Sequence, residues 1–156
     1  MSSYDPSGQF LTLRGFLNGE EPNQEIYFAY SASLRIFGVI PDLGEITREL
    51  GIEPTMSHRC GDSKRPNSPP FKHDHWSYTI PLAETDPLAR HIDSLWIRIR
   101  DRKEFLLQLK ARPNVTVDVF LGYRSNCDHA GVEVPSASLE MFVELGIPFG
   151  ISIIIA

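Results

Sequence analysis

Alternation of apolar and polar positions marks the first ordered element. Between Ile26 and Ile40, residues Ala32, Leu34, Ile36 and Gly38 alternate with Ser33, Arg35, Phe37 and Val39. That period of two predicts a strand with one face better buried than the other. The aromatic run Tyr27-Phe28-Ala29-Tyr30 at its start suits a half-buried pleated surface. Pro41 ends the strand, and Leu43, Ile46 and Leu50 then fall on one helical face. Asp42 is placed as the N-cap with Glu45 three residues on, a capping-box pattern, and Gly51 supplies the left-handed stop. Residues 56–74 read as a long polar loop, because Pro66, Pro69 and Pro70 forbid a regular ladder. Trp76, Tyr78 and Ile80 share one face of the next strand, which Pro81 closes.

The second half repeats the grammar. Asp86-Pro87 predicts a helix start, followed by Leu88, Ile92, Leu95, Trp96 and Ile99 at helical spacing. Asp101 and Glu104 give a second cap signal before Phe105, Leu106 and Leu109, so two consecutive helices or one kinked near Arg100–Asp101 are expected up to Pro113. Val115–Leu121 alternates as a strand, and residues 122–135 form a loop with a short extended piece at Gly131–Val134. Ser136 is an N-cap candidate for a helix carrying Leu139, Phe142, Val143 and Leu145, stopped by Gly146. Phe149, Ile151, Ile153 and Ile155 alternate as the last strand. The β-branched run Ile151–Ala156 reads as buried.

Glu49-Leu50-Gly51-Ile52 recurs as Glu144-Leu145-Gly146-Ile147, each at the end of a short helix that follows a strand. We therefore expect an irregular N-terminal arm over residues 1–25, with a short edge strand at Phe10–Leu13, then one α+β domain over 26–156. Two strand–helix–strand units, 26–81 and 114–155, are joined by the helical segment 86–112. The expected architecture is a ferredoxin-like, mainly antiparallel sheet with helices packed on it.

Composition narrows the function classes. The 156 residues are 42% hydrophobic and 22% charged, enough for a globular core and too little charge for a disordered chain. The net charge of −5 argues against nucleic acid as a partner. The cations are nevertheless uneven: seven of the fifteen Lys and Arg lie between Arg90 and Arg112, which reads as a solvated helix surface. The start MSSYDPSGQF lacks the basic and apolar regions of a secretory signal, and no apolar stretch is long enough to span a membrane. A cytoplasmic protein is expected, with Cys60 and Cys127 as free thiols.

Several residues resemble a known family. The succession from Pro41 through Ile46-Thr47, Leu50-Gly51-Ile52 and Pro54-Thr55, then Arg59-Cys60-Gly61-Asp62 and Trp76-Ser77, resembles the bacterial domain of unknown function 4279 family. The later order is similar, with a helical linker, a strand and a helix ending in Leu145-Gly146-Ile147 before a closing strand. The Pro-rich insert Pro66–Pro70 departs from the pattern. The resemblance implies a fold and a bacterial cytoplasmic setting, and brings no reaction or catalytic residue with it.

Three candidate sites follow, each beside a plainer account. His58, His73, His75 and His129, with Cys60, Asp62, Cys127 or Asp128, hold the ligand types for a zinc-like ion, although their spacing matches no zinc-finger pattern and surface-loop histidines are commonplace. Cys60, beside Arg59 and near His58, is a thiol that cations would activate, or an ordinary loop cysteine. Arg59, Gly61, Asp62 and Trp76 form the third candidate, a ligand-binding turn. Arg59 is a planar donor fork, Gly61 permits a positive φ, Asp62 bonds nearby amides and Trp76 offers a flat surface. Its plainer account is a turn that only closes a loop and a tryptophan that only fills the core. No phosphate-binding loop, dinucleotide fingerprint, nucleophile elbow or H-E-x-x-H motif is present. The leading expectation is a non-catalytic binding module for a protein or small ligand, of which an immunity protein is one contextual analogy. No catalytic residue, metal site or cofactor is assigned. The alternatives are a metal- or thiol-dependent enzyme at the His/Cys loops and a structural domain that self-associates through an edge strand.

Overall fold

A computed structural model of the chain describes residues 25–127 and 131–156. The expectations for the arm, including its strand at Phe10–Leu13, and for Asp128 and His129 fall outside the described residues.

β1 (Phe28–Gly38) is the middle strand of a five-stranded sheet ordered β2-β3-β1-β4-β5. It is flanked by β3 (Asp74–Thr79) and β4 (Val115–Ser125). β2 (Met56–His58) and β5 (Ile151–Ile155) are the edges. The β1–β3, β1–β4 and β2–β3 pairings are antiparallel and β4–β5 is parallel, so the fold is α+β with a mixed sheet. The parallel pair has a topological cause. The chain leaves β4, crosses through a 3₁₀ turn at Ser136–Leu139 and α4 (Glu140–Leu145), and re-enters beside β4 in the same direction.

The expected alternation in β1 is realised. Ala32, Leu34 and Ile36 are fully buried, joined from the flanking strands by Trp76, Val117, Val119 and Leu121. α1 (Leu43–Leu50), α2 (Leu88–Ile99), α3 (Lys103–Lys110) and α4 add Ile46, Ile92, Leu95, Ile99, Leu106, Leu109 and Met141 to this core. The Trp76 indole N–H donates to Thr47 Oγ1 of α1 at 3.0 Å, so the largest core side chain leaves no polar atom unpaired.

Several local expectations are corrected. Glu45 does not complete a capping box. Asp42 alone caps α1 through Gly44 N, while Glu45 turns to a paired bond with Arg112 at 2.7 and 2.8 Å, tying α1 to the end of α3. Asp86 does not cap α2. Pro87 occupies the cap position and the Asp86 carboxylate pairs with Arg90 one turn on. Ser136 and Asp101 likewise make no cap, since 3₁₀ turns lead into α4 and α3. The loop after α1 begins with β2, because Met56–His58 finds a partner in β3 before the prolines intervene. β4 runs on to Ser125, and residues 131–134 lie in no strand.

Gly51 and Gly146 both end helices with positive φ, 65° and 57°. The strands that follow differ in placement: β2 is separated from β1 by β3, whereas β5 lies directly against β4. The run Ile151–Ile155 is not buried. Ile153, Ile154 and Ile155 are 57%, 48% and 51% exposed, because β5 is an edge strand and the six-residue α4 turns Met141, Phe142 and Leu145 into the core.

Gly38 ends β1 where its backbone packs directly against that of Asn114. It has φ 131°, and a Cβ placed on it would lie 1.9 Å from the Asn114 carbonyl oxygen, which accepts from Val39 N. Gly38→Ala is expected to cost about 3 kcal/mol, read as a lower urea midpoint at unchanged slope. An unchanged midpoint would contradict this placement.

Candidate functional site

Because the helices cover one face of the sheet, the strand period puts Ser33, Arg35 and Phe37 of β1 on the other. The register sets His75, Ser77 and Thr79 of β3 and Thr116, Asp118, Phe120 and Gly122 of β4 beside them. A polar outer face is ordinary for an antiparallel sheet. What distinguishes this one is how firmly its centre is held. Arg35 stands directly opposite Asp118, and its Nε and Nη2 donate to the two carboxylate oxygens at 2.7 and 2.6 Å. The same guanidinium lies 5.0 Å from the Phe120 ring centroid and 5.9 Å from that of Phe37.

Phe120 is itself positioned by its neighbour. A Cβ on Gly122 would meet the Phe120 ring at 3.2 Å and Ser31 Oγ at 2.5 Å, so the ring lies across the space that glycine leaves. Phe120 thus forms a ridge shared by three depressions in the open face. The largest, about 510 Å³, is lined by Ser33, Arg35, Thr55, Met56, His75, Ser77, Thr79 and Phe120. A second of about 350 Å³ shares Arg35 and Phe120 and reaches Gly150–Ser152. A third of about 180 Å³ lies beyond Gly122 toward Arg124 and Ile154.

An imidazole–phenyl stack borders the largest depression. His58 lies face to face with Phe71 at 3.6 Å and parallel to His75 at 5.1 Å, and Phe37 stacks on the far side of His75 at 6.4 Å. His75 Nε2 is buried without a hydrogen-bond partner. Burial is the largest cause holding both imidazoles below the usual histidine value. For His75 the His58, Arg35 and His73 charges add to it against Asp118, and for His58 His73 adds while Asp62 and Asp74 oppose.

The ligand-binding residues expected from the sequence lie elsewhere. Arg59, Gly61 and Asp62 do form a turn: Asp62 Oδ2 accepts from Arg59 N at 3.0 Å, and Gly61 has φ 91°. Arg59 directs its guanidinium inward, donating from Nη1 to Ile40 O at 2.7 Å and sitting 3.5 Å from Asp74. Asp74 completes the knot, accepting from Ile40 N and Cys60 N at 2.9 and 3.0 Å. Those two amides, with Arg59 beside them, hold its carboxyl below the usual carboxylate range. Trp76 is fully buried on the helix-covered face, so it does not share a surface with the turn. Cys60 is exposed, its thiol donating to Lys72 O, and Cys127 is buried. Among the described residues no three His, Cys, Asp or Glu side chains are grouped to hold a metal ion. No helix among them is long and apolar enough to cross a membrane.

The imidazole stack predicts a pH dependence. The unfolded chain takes up protons near the ordinary histidine value of 6.5, and folded His58 and His75 do so only at lower pH. Stability is therefore full above about pH 6.5 and falls as pH drops toward the folded values. Asp74 acts in the same direction, but only below its ordinary value of 3.8. The double variant His58→Phe/His75→Phe should flatten the loss of urea midpoint between about pH 7 and 5. An unchanged pH slope would contradict the assignment.

No curated protein and no solved structure matches the chain. A family described as a domain of unknown function, DUF4279, matches residues 28–156, which takes in every described strand and helix. The chain belongs to the DUF4279 family.

Proposed function

We propose that the protein is a non-catalytic binding module whose recognition surface is the open face of the sheet. One observation carries this reading: Arg35 is fixed there by Asp118, Phe37 and Phe120 before any partner arrives. A guanidinium free in water loses rotamer entropy on binding, and one already held does not. The depressions around it give a partner shape to fill. The polar side chains of the face pair with one another, Arg35 with Asp118 and Ser33 with Thr79, which suits a preformed binding surface. The Arg59–Asp62 turn is a secondary contact at most in this reading, since Arg59 is engaged with Ile40 and Asp74.

The finer fold proposal is compatible with this role. The order β1–α1–β2–β3–α2–α3–β4 with spatial order β2-β3-β1-β4 supports a ferredoxin-like core to which α4 and β5 are added. A bacterial cytoplasmic setting and a partner other than nucleic acid complete the proposal. A second reading, self-association, is favoured by the exposed isoleucines that β5, an edge strand, presents on both faces of the sheet.

A fragment screen by amide NMR tests the first reading. Ligands should shift Ser33, Arg35, Ser77 and Phe120 rather than residues 59–62. Gly122→Ala, which displaces the Phe120 ring, should weaken them about tenfold with the helix-face amides unmoved. Hits confined to the Arg59–Asp62 turn, or none on the open face, would sink it. Light scattering across a concentration series separates the second reading: a mass that grows with concentration and falls back in Ile154→Lys supports self-association, and a constant monomer rejects it.

A further inference from the structure

The two edges of the sheet differ in how they are guarded. β2 is three residues long and runs into a stretch carrying Arg59, Lys64, Arg65 and Pro66. Short length, cations and proline are ordinary defences of an edge against a second strand. β5 carries neither charge nor proline: its five residues are Ile-Ser-Ile-Ile-Ile, and none from Phe149 to Ala156 is charged or a proline. No strand of the described residues pairs with its outer side.

The ladder shows which backbone groups face outward there. Ala156 N donates to Ser125 O of β4 at 2.9 Å, and in a strand alternate residues turn their N–H and C=O to the same side. Ser152 and Ile154 therefore face β4, and Ile151, Ile153 and Ile155 direct both groups to the open edge. The side chains of these same three lie beside Leu121, Tyr123 and Ser125, on the helix-covered face, where Ile153 and Ile155 stay half exposed. Ser152 and Ile154 lie beside Gly122 and Arg124 on the other face.

Such an edge is complementary to itself. A closed contact between identical chains has a two-fold axis, and a two-fold across the sheet pairs a strand with its own copy in antiparallel. Among the registers that bring outward-facing donors to outward-facing acceptors, the one centred on Ile153 engages the whole strand. It sets Ile153 against Ile153 of the second copy, Ile151 against Ile155, and Ser152 against Ile154. Isoleucine then meets isoleucine at every position of the helix-covered face. We propose that β5 pairs antiparallel with β5 of a second copy of this chain, about a two-fold axis at Ile153, to make one continuous sheet. Both open faces then lie on the same side of that sheet, so a partner with two epitopes meets two surfaces at once. The proposal rests on the self-association reading above and adds the pairing strand, its direction and its register. Five residues a side is far below the roughly 20–30 of a standard interface, so the pairing is weak, with a Kd of about 100 μM.

Amide exchange by NMR and light scattering on the full chain, at about 20 μM and about 1 mM, test the pairing. Protection of the Ile151, Ile153 and Ile155 amides should rise about threefold or more with concentration, while Ser152 and Ile154, already bonded to β4, stay unchanged. Cross-linking tests the register. In a Cys60→Ser background, Ile153→Cys places two Cα atoms about 5.5 Å apart across the axis, within disulfide reach, and should form a covalent dimer with glutathione disulfide as oxidant. Ile154→Cys, whose copies lie about 8 Å apart, should cross-link at least about tenfold more slowly. A constant monomer at both concentrations would overturn the proposal together with the self-association reading. A dimer in which Ile154→Cys cross-links as fast as Ile153→Cys would overturn the proposed pairing alone and leave self-association standing. Protection of the three outward amides that does not change with concentration would show the edge to be covered by a segment of its own chain, and would likewise overturn the pairing.

Discussion

Ala32, Leu34 and Ile36 lie beneath the helices, and the two-residue period of a strand then obliges Ser33, Arg35 and Phe37 to point the other way. β1 is central, so this constraint passes through the ladder to both neighbours. Trp76 of β3 and Val117, Val119 and Leu121 of β4 follow the buried set, while Ser77, Asp118 and Phe120 follow the open set. A slip of one residue would put Arg35 in the apolar core, which fixes the register more strongly than any single hydrogen bond. The open face is thus a consequence of how the core is packed on the opposite side.

On such a face an isolated ion pair contributes little stability, typically 0 to about 1 kcal/mol. The Arg35–Asp118 pair is better understood as a positioning device. Two parallel bonds and two phenyl rings restrict the guanidinium to one orientation, and Gly122 lets one of those rings lie flat. The Arg59–Asp74 knot is the contrasting case. There a cation and a carboxylate are spent on the main chain of Ile40, closing the corner between β1 and α1. Two arginine–aspartate pairs therefore serve different ends. One anchors backbone, and the other fixes the orientation of a partly exposed side chain on the outer face of the sheet.

The two faces of β1 were legible in the sequence because alternation is a local signal that tertiary packing reinforces. The glycine stops at Gly51 and Gly146 were legible for the same reason. The site was not. Arg35 and Asp118 are 83 residues apart, and only the antiparallel register makes them partners. Arg59 looked available because it precedes the Gly61-Asp62 turn signal in a polar stretch, whereas its real partners are the Ile40 carbonyl and Asp74. Glu45 matched a capping box, but the Arg112 fork is a stronger partner than one backbone amide. The isoleucines of β5 misled because an apolar β-branched run has the same pattern at a sheet edge as in its interior.

The central claim is that Arg35 is held in place, before any ligand binds, on the face of the sheet that none of the described helices covers. The most direct measurement is the ¹⁵N relaxation of the Arg35 Nε–H bond in the free protein, compared with exposed arginines such as Arg100 and Arg102. An Arg35 order parameter near that of rigid backbone, about 0.85, falling in Asp118→Asn, is the predicted result. A value below about 0.6 in the wild-type protein, no different from the exposed arginines, would contradict it.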